Sequence, residues 1–256
     1  LATVTSSKTR YAAPCIDAIN TFFGRPTLPI GVPRSVTAPD YRPSRFNAQI
    51  AAEFPNDVGD YDAAPDALDV YRQVLAAAPD HSVSIITVGY LTNIRDLLLS
   101  GPDAHSPLTG QELVSQKVVR WVCMGGPIPA VDPDQGPGWG GNFKTQPEAT
   151  KTAVEQWPLE LVFSGQYIGD PIHTGLPLFD TASPGNPVRR AYDLWLGGRS
   201  TRPSWDQTAV LYAARGAGDY WDEVTVGTCT INEHGAHTWV ESPDRDHRYL
   251  IPEMSN

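Results

Sequence analysis

Apolar residues recur along the chain in two rhythms, and the alternation between them outlines the architecture. Leu1–Thr5 is a short β-branched run, read as a strand. Ala12, Ile16, Ile19 and Phe23 then follow at helical spacing, with Gly24 at the stop position. Leu28–Val32 reads as a second short strand, and Pro33–Pro65 as a long Pro-rich excursion with one helical turn near Phe46–Phe54. Asp66–Ala78 is the clearest helix: Leu68, Tyr71, Leu75 and Ala78 share one face, and Pro79 follows the stop. Ser82–Val88 is a strand that turns through Gly89–Thr92 into a helix reaching Ser100, and Val118–Met124 is another strand. It enters the loop Gly125–Asn142, which holds six Gly and four Pro. A helix near Ala149–Gln156, the strand Leu159–Ser164 and a Gly/Pro-rich loop to Pro187 come next. Helices are expected near Val188–Leu196 and Trp205–Ala214, and Val224–Ile231 with Thr238–Val240 reads as a β-hairpin around Glu233–Gly235.

Strands alternating with helices predict an α/β fold: an open, mainly parallel sheet with helices on both faces, plus the C-terminal hairpin, in one domain over residues 1–256. Ligands of such sheets sit outside the carboxyl ends of the strands. Three of these ends carry glycine: Val88-Gly89-Tyr90, Met124-Gly125-Gly126 and Ser164-Gly165-Gln166. Singly they make tight turns. In register along one sheet edge they favour a pocket that a ligand or a neighbouring loop can approach closely.

Composition narrows the partners. With 29 acidic against 19 basic side chains the 256 residues carry a formal charge of −10, without the Lys/Arg cluster that phosphate backbones require, which argues against nucleic acid. No apolar run approaches the roughly 18 residues of a membrane span, and the first ten residues lack the apolar core of a signal peptide. The compartment, cytoplasmic or secreted, stays open, as does assembly into a homo-oligomer. Cys15, Cys123 and Cys229 have neither disulfide-framework nor zinc-site spacing and read as buried small hydrophobes.

A few residues could carry chemistry. Asp206 opens a helix, where it can serve the helix N-terminus, bind a hard cation, or accept from a sugar hydroxyl. Asn142 can shape a turn or read hydroxyls in the pocket. His173 is the histidine best placed near the pocket to act as acid or base, whereas His234 and His237 flank a hairpin tip and do not suggest a metal pair. Nucleophile-elbow, Walker and dinucleotide motifs are absent.

The segments Val88-Gly-Tyr-Leu-Thr-Asn-Ile94, Val122-Cys-Met-Gly-Gly126, Asn142-Phe with Pro147-Glu-Ala149, and Trp205-Asp-x-x-Ala-Val210 resemble, in order and spacing, the inosine/uridine-preferring nucleoside hydrolase family. Trp157-Pro158, Phe163-Ser-Gly165 and Asn186-Pro-Val188 resemble a bacterial and fungal branch of it. The resemblance implies a Ca²⁺ ion on the pocket floor and a water on that ion that cleaves the N-glycosidic bond of a ribonucleoside. By the same resemblance, Asp206 and the main-chain carbonyl of Val88 are metal ligands, Asp206 also touches a ribose hydroxyl, Asn142 contacts the ribose, and Met124 lines the sugar pocket. Trp205 stands where several members carry a histidine that protonates the leaving base; indole can stack on a base but cannot supply that proton. Gly140 replaces a family glutamate.

Leu1–Gly24 resembles the family's second strand and helix, so the strand and Asp-rich loop that supply most calcium ligands and the general base fall outside this sequence. One carboxylate and one carbonyl do not fill the six to eight positions of Ca²⁺. The resemblance therefore predicts a companion N-terminal segment that completes the hydrolase. The alternative is a catalytically silent, lectin-like protein that binds a sugar or nucleoside in the same pocket.

Overall fold

The computed structural model describes residues 1–35, 44–128, 141–242 and 244–253. In chain order its elements are β1 (Thr3–Val4), α1 (Ala12–Phe22), β2 (Ile30–Gly31), α2 (Asn47–Glu53) and α3 (Ala67–Ala77). Then come β3 (Val83–Thr87), α4 (Thr92–Leu99), α5 (Gly110–Lys117), β4 (Val118–Met124), α6 (Gly141–Lys144), α7 (Pro147–Gln156) and β5 (Glu160–Ser164). They are followed by α8 (Gln166–Gly169), β6 (His173–Thr174), α9 (Leu178–Thr181), α10 (Pro187–Leu196), β7 (Arg202–Pro203) and α11 (Trp205–Arg215). The chain ends with β8 (Trp221–Val224), β9 (Thr228–Ile231), β10 (His237–Val240) and β11 (His247–Pro252). These residues form two compact units, 1–74 with 173–202 and 75–172 with 203–256.

In the first unit β1 and β2 pair in parallel, Thr3 opposite Ile30. Cys15 and Ala18 of α1 pack on Ile50 of α2 and on Ala191 and Leu194 of α10. The buried Asp17 carboxylate accepts from the backbone N–H groups of Asp57 and Val58, which anchors the excursion to α1. Helix α10 has a full set of end signals: Asn186 accepts from Val188 N and Arg189 N, Pro187 occupies the first turn, and Gly197 is left-handed at φ 72°.

The second unit is built on a five-stranded sheet in the order β3-β4-β5-β11-β8. The first four strands are parallel and β8 is antiparallel, which bears out the mainly parallel sheet. Alternate residues of β4 and β5 feed two cores, so both strands are nearly continuous apolar runs. Val122, Met124 and Val162 pack with Leu250 against Ala209 and Tyr212 of α11. On the other register Trp121 lies against Trp157, and Phe163 against Phe143. At the amino end of the sheet Arg248 makes ion pairs with Glu160, Glu223 and Asp246 at 3.0–3.2 Å, while Arg120 pairs with Glu160 at 3.3 Å.

The C-terminal strands differ from the sequence reading. Val224 does not belong to the hairpin: it ends β8 and pairs with Tyr249 of β11. The hairpin itself is β9 with β10, Ile231 opposite His237. Strand β11 carries Arg248 in its midst, which obscured the strand pattern; three carboxylates neutralise that charge and admit it to the sheet.

Candidate functional site

The carboxyl ends of β3, β4 and β5 are Thr87, Met124 and Ser164, each followed by a turn. Val88 lies just past β3 and is 41 % exposed, while Met124 is 9 % exposed. The glycines after β4 and β5 do admit close neighbours, and in both cases the neighbour is protein. A Cβ on Gly125 would enter the Phe143 ring, and one on Gly165 would reach the Ile128 backbone.

That packing fixes the turn carrying Asn142. Phe143 is fully buried, and its carbonyl accepts from the Thr150 hydroxyl at 2.8 Å. The hairpin presses from the other side: a Cβ on Gly235 would lie 2.8 Å from Phe143 O. The His237 ring meets Phe143 edge-on, and its Nε2 is 3.1 Å from Pro127 O. Burial holds the His237 pKa below the usual imidazole value, so the neutral ring donates to that carbonyl. Asn142 can therefore reach back to the strand end, its Nδ2 donating to Met124 O at 3.0 Å and approaching Met124 Sδ at 3.3 Å. With the donor side committed, Oδ1 is the side of the amide left to accept from a hydroxyl.

Helix α11 begins beside the carboxyl end of β5. Ser204 N donates to Ile172 O at 2.8 Å and to Gly169 O at 3.2 Å, which sets where the helix starts. Thr208 Oγ1 donates to Trp205 O at 2.8 Å and so receives the proton of Ser164 Oγ, 3.1 Å away, tying the first turn to the end of β5. Trp205 is half-buried against the cluster that contains Met124, and its indole N–H donates to Asp170 Oδ1 at 2.6 Å. Asp206 follows in the first turn, exposed, where the helix dipole favours negative charge.

Of the residues singled out in the sequence, Asn142 and Met124 touch directly, Trp205 joins them through the shared cluster, and Asp206 adjoins Trp205. Val88 stands at the end of the neighbouring strand. His173 belongs to the other unit, exposed, with Nδ1 2.9 Å from the Thr201 hydroxyl. His234 is exposed beside Glu233. The three cysteines are buried free thiols; burial pushes Cys15 and Cys123 up to about 12, which keeps them protonated at neutral pH. Asp170 is the residue that sequence reasoning missed, and no motif marks it. Gly140 lies outside the described residues.

Among the described residues no three His, Cys, Asp or Glu side chains gather as a metal site. Asp206 and the Val88 carbonyl offer two oxygens where Ca²⁺ takes six to eight, so the described residues do not by themselves compose a calcium cage.

No family model and no curated protein sequence matches the chain. Solved structures do. The inosine-uridine preferring nucleoside hydrolase from Bacillus anthracis aligns over 99 % of this chain and 84 % of its own, at 14 % identity and a TM-score of 0.66. The chain has a nucleoside hydrolase-like fold. The plant nucleoside hydrolase PpNRh1 aligns over 98 % of this chain and 85 % of its own, at 15 % identity and a TM-score of 0.65. The type III effector protein XopQ, solved in complex with adenosine diphosphate ribose, aligns over 88 % of this chain and 75 % of its own, at 16 % identity and a TM-score of 0.64. Two of these three structures are nucleoside hydrolases, and the third is an effector protein bound to adenosine diphosphate ribose.

Proposed function

We propose that the carboxyl edge of the second unit's sheet binds a riboside, a ribose carrying a flat heterocycle. The observation that supports this best is the tethered Asn142 amide. Its Nδ2 is committed to Met124 O, which presents Oδ1 as an acceptor for a sugar hydroxyl beside an indole wall. Asp206 adds a second, charged acceptor; carboxylate and amide acceptors on vicinal hydroxyls give strong, directional contacts. Trp205 supplies an apolar face for the heterocycle. Titration of the full chain with inosine, uridine and ribose, followed by tryptophan fluorescence, tests the reading. Saturable binding of a nucleoside that Asn142→Ala and Asp206→Ala each weaken is expected; no binding of any of the three overturns it.

A second reading, hydrolysis of the N-glycosidic bond, is favoured by the fold shared with two nucleoside hydrolases. On that reading Asp206 and the Val88 carbonyl would be two ligands of a Ca²⁺ ion whose chemistry is to acidify a bound water. The other ligands and the general base would come from a companion segment or from residues outside those described. The residues in hand would orient the sugar, and Trp205 would hold the leaving base. Release of reducing sugar from inosine, uridine or p-nitrophenyl riboside, abolished by EDTA, would establish it. Binding without turnover would leave a silent, lectin-like riboside binder.

A further inference from the structure

We propose that Asp170 is a positioning residue for the riboside site: it fixes the Trp205 indole as the wall for the heterocycle and, through its charge, makes that wall select electron-poor or cationic rings. The inference rests on the riboside reading above and names the class of heterocycle the site prefers.

The geometry is specific. The 2.6 Å bond from Trp205 Nε1 to Asp170 Oδ1 is short, as expected of a neutral donor on a carboxylate. Asp170 closes α8, its own N–H donating to Gln166 O at 3.1 Å, and the Gln166 amide lies 3.5 Å from Oδ2. The indole cannot retreat, because α8 abuts the start of α11. A Cβ on Gly169 would come within 2.6 Å of Trp205 N and 2.8 Å of Cδ1, so that position has room for hydrogen alone. Ring, carboxylate and backbone are therefore held as one piece.

The electrostatics add selectivity. Among the described residues both partners of the Asp170 side chain are neutral, an indole and an amide, and no Lys or Arg is paired with it. A half-buried carboxylate behind an indole N–H polarises the ring and makes its face more negative. Such a face attracts a cation or an electron-poor heterocycle more strongly than an isolated indole does. A sugar without a base gains nothing from it.

The test uses the full chain, fluorescence titration, and three probes: adenosine, 1-methyladenosine, whose ring is positively charged at neutral pH, and ribose. Wild type is expected to bind 1-methyladenosine more tightly than adenosine by roughly fivefold, in line with a partly desolvated cation–π contact. Asp170→Asn retains an acceptor of the same shape, so adenosine binding should persist while the preference for the charged ring shrinks toward one. Asp170→Ala should weaken both nucleosides by about tenfold and leave ribose unchanged. In a Trp205→Phe background, Asp170→Ala should have no further effect, a coupling that a general loss of stability would not produce. Unchanged nucleoside affinity and preference in both Asp170 variants, or full additivity with Trp205→Phe, overturns the role of Asp170 while wild-type binding leaves the riboside reading standing. Failure of wild type to bind any probe overturns both. Should Asp170→Ala not fold, the Asp170→Asn preference decides.

Discussion

The two ends of the five-stranded sheet treat charge in opposite ways. At the amino end the carboxylates of Glu160, Glu223 and Asp246 face guanidinium groups, and Tyr212 donates a further 2.8 Å bond to Glu223. At the carboxyl edge Asp170 is held by an indole and an amide, and Asp206 stands exposed in the first turn of α11. The first arrangement neutralises charge to let a polar strand into a sheet. The second keeps negative charge at the carboxyl ends of the strands, the edge at which open α/β sheets bind ligands. Fold stability should therefore reside at one end and recognition at the other.

Asp206→Ala should separate the two ends most sharply. Riboside affinity is expected to fall by more than about tenfold, while the melting temperature drops by less than roughly 3 °C, as befits an exposed side chain in a helix's first turn. A large loss of stability would break the comparison. The amino end should instead answer to acid. His247 there accepts the Cys229 N–H at Nδ1, and its buried Nε2 has no partner among the described residues. Burial, with Arg245 nearby, lowers its pKa to about 4. The unfolded chain binds this proton near pH 6.5 and the folded chain near pH 4, so stability is full above pH 6.5 and is lost as pH falls toward 4, by on the order of 3 kcal/mol. Urea unfolding of wild type against His247→Gln at pH 7 and pH 4.5 checks this; equal pH dependence would remove His247 as the cause. Arg248→Ala strands two partly buried carboxylates and should cost about 2 kcal/mol in the same assay, with riboside affinity unchanged. Asn142→Ala removes one neutral acceptor and should weaken riboside binding by about tenfold, with little effect on urea unfolding.

Much of this was legible in the sequence. The central strands and α7, α10 and α11 showed themselves because buried faces impose a period, and α10 carries its own start and stop residues. The glycines after β4 and β5 signalled close approach, and the approaching groups are Phe143 and Ile128 of neighbouring segments. Helix α5 was missed although it had a signal, the reciprocal Thr109–Glu112 capping box. Strand β11 was hidden because its charges are cancelled by residues distant in sequence. Asp170 was illegible for the same reason: its importance lies in one bond to a side chain thirty-five residues on, which no local pattern encodes.

The contact of Gly235 with the Phe143 and Lys144 backbone places the hairpin's apex behind the loop that aims Asn142. The last quarter of the chain thus acts as a backstop for an amide contributed by its middle. A proteolytic nick at the Glu233–His234 bend should therefore loosen the Asn142 tether and, on the riboside reading, weaken binding without altering any residue proposed to contact the sugar.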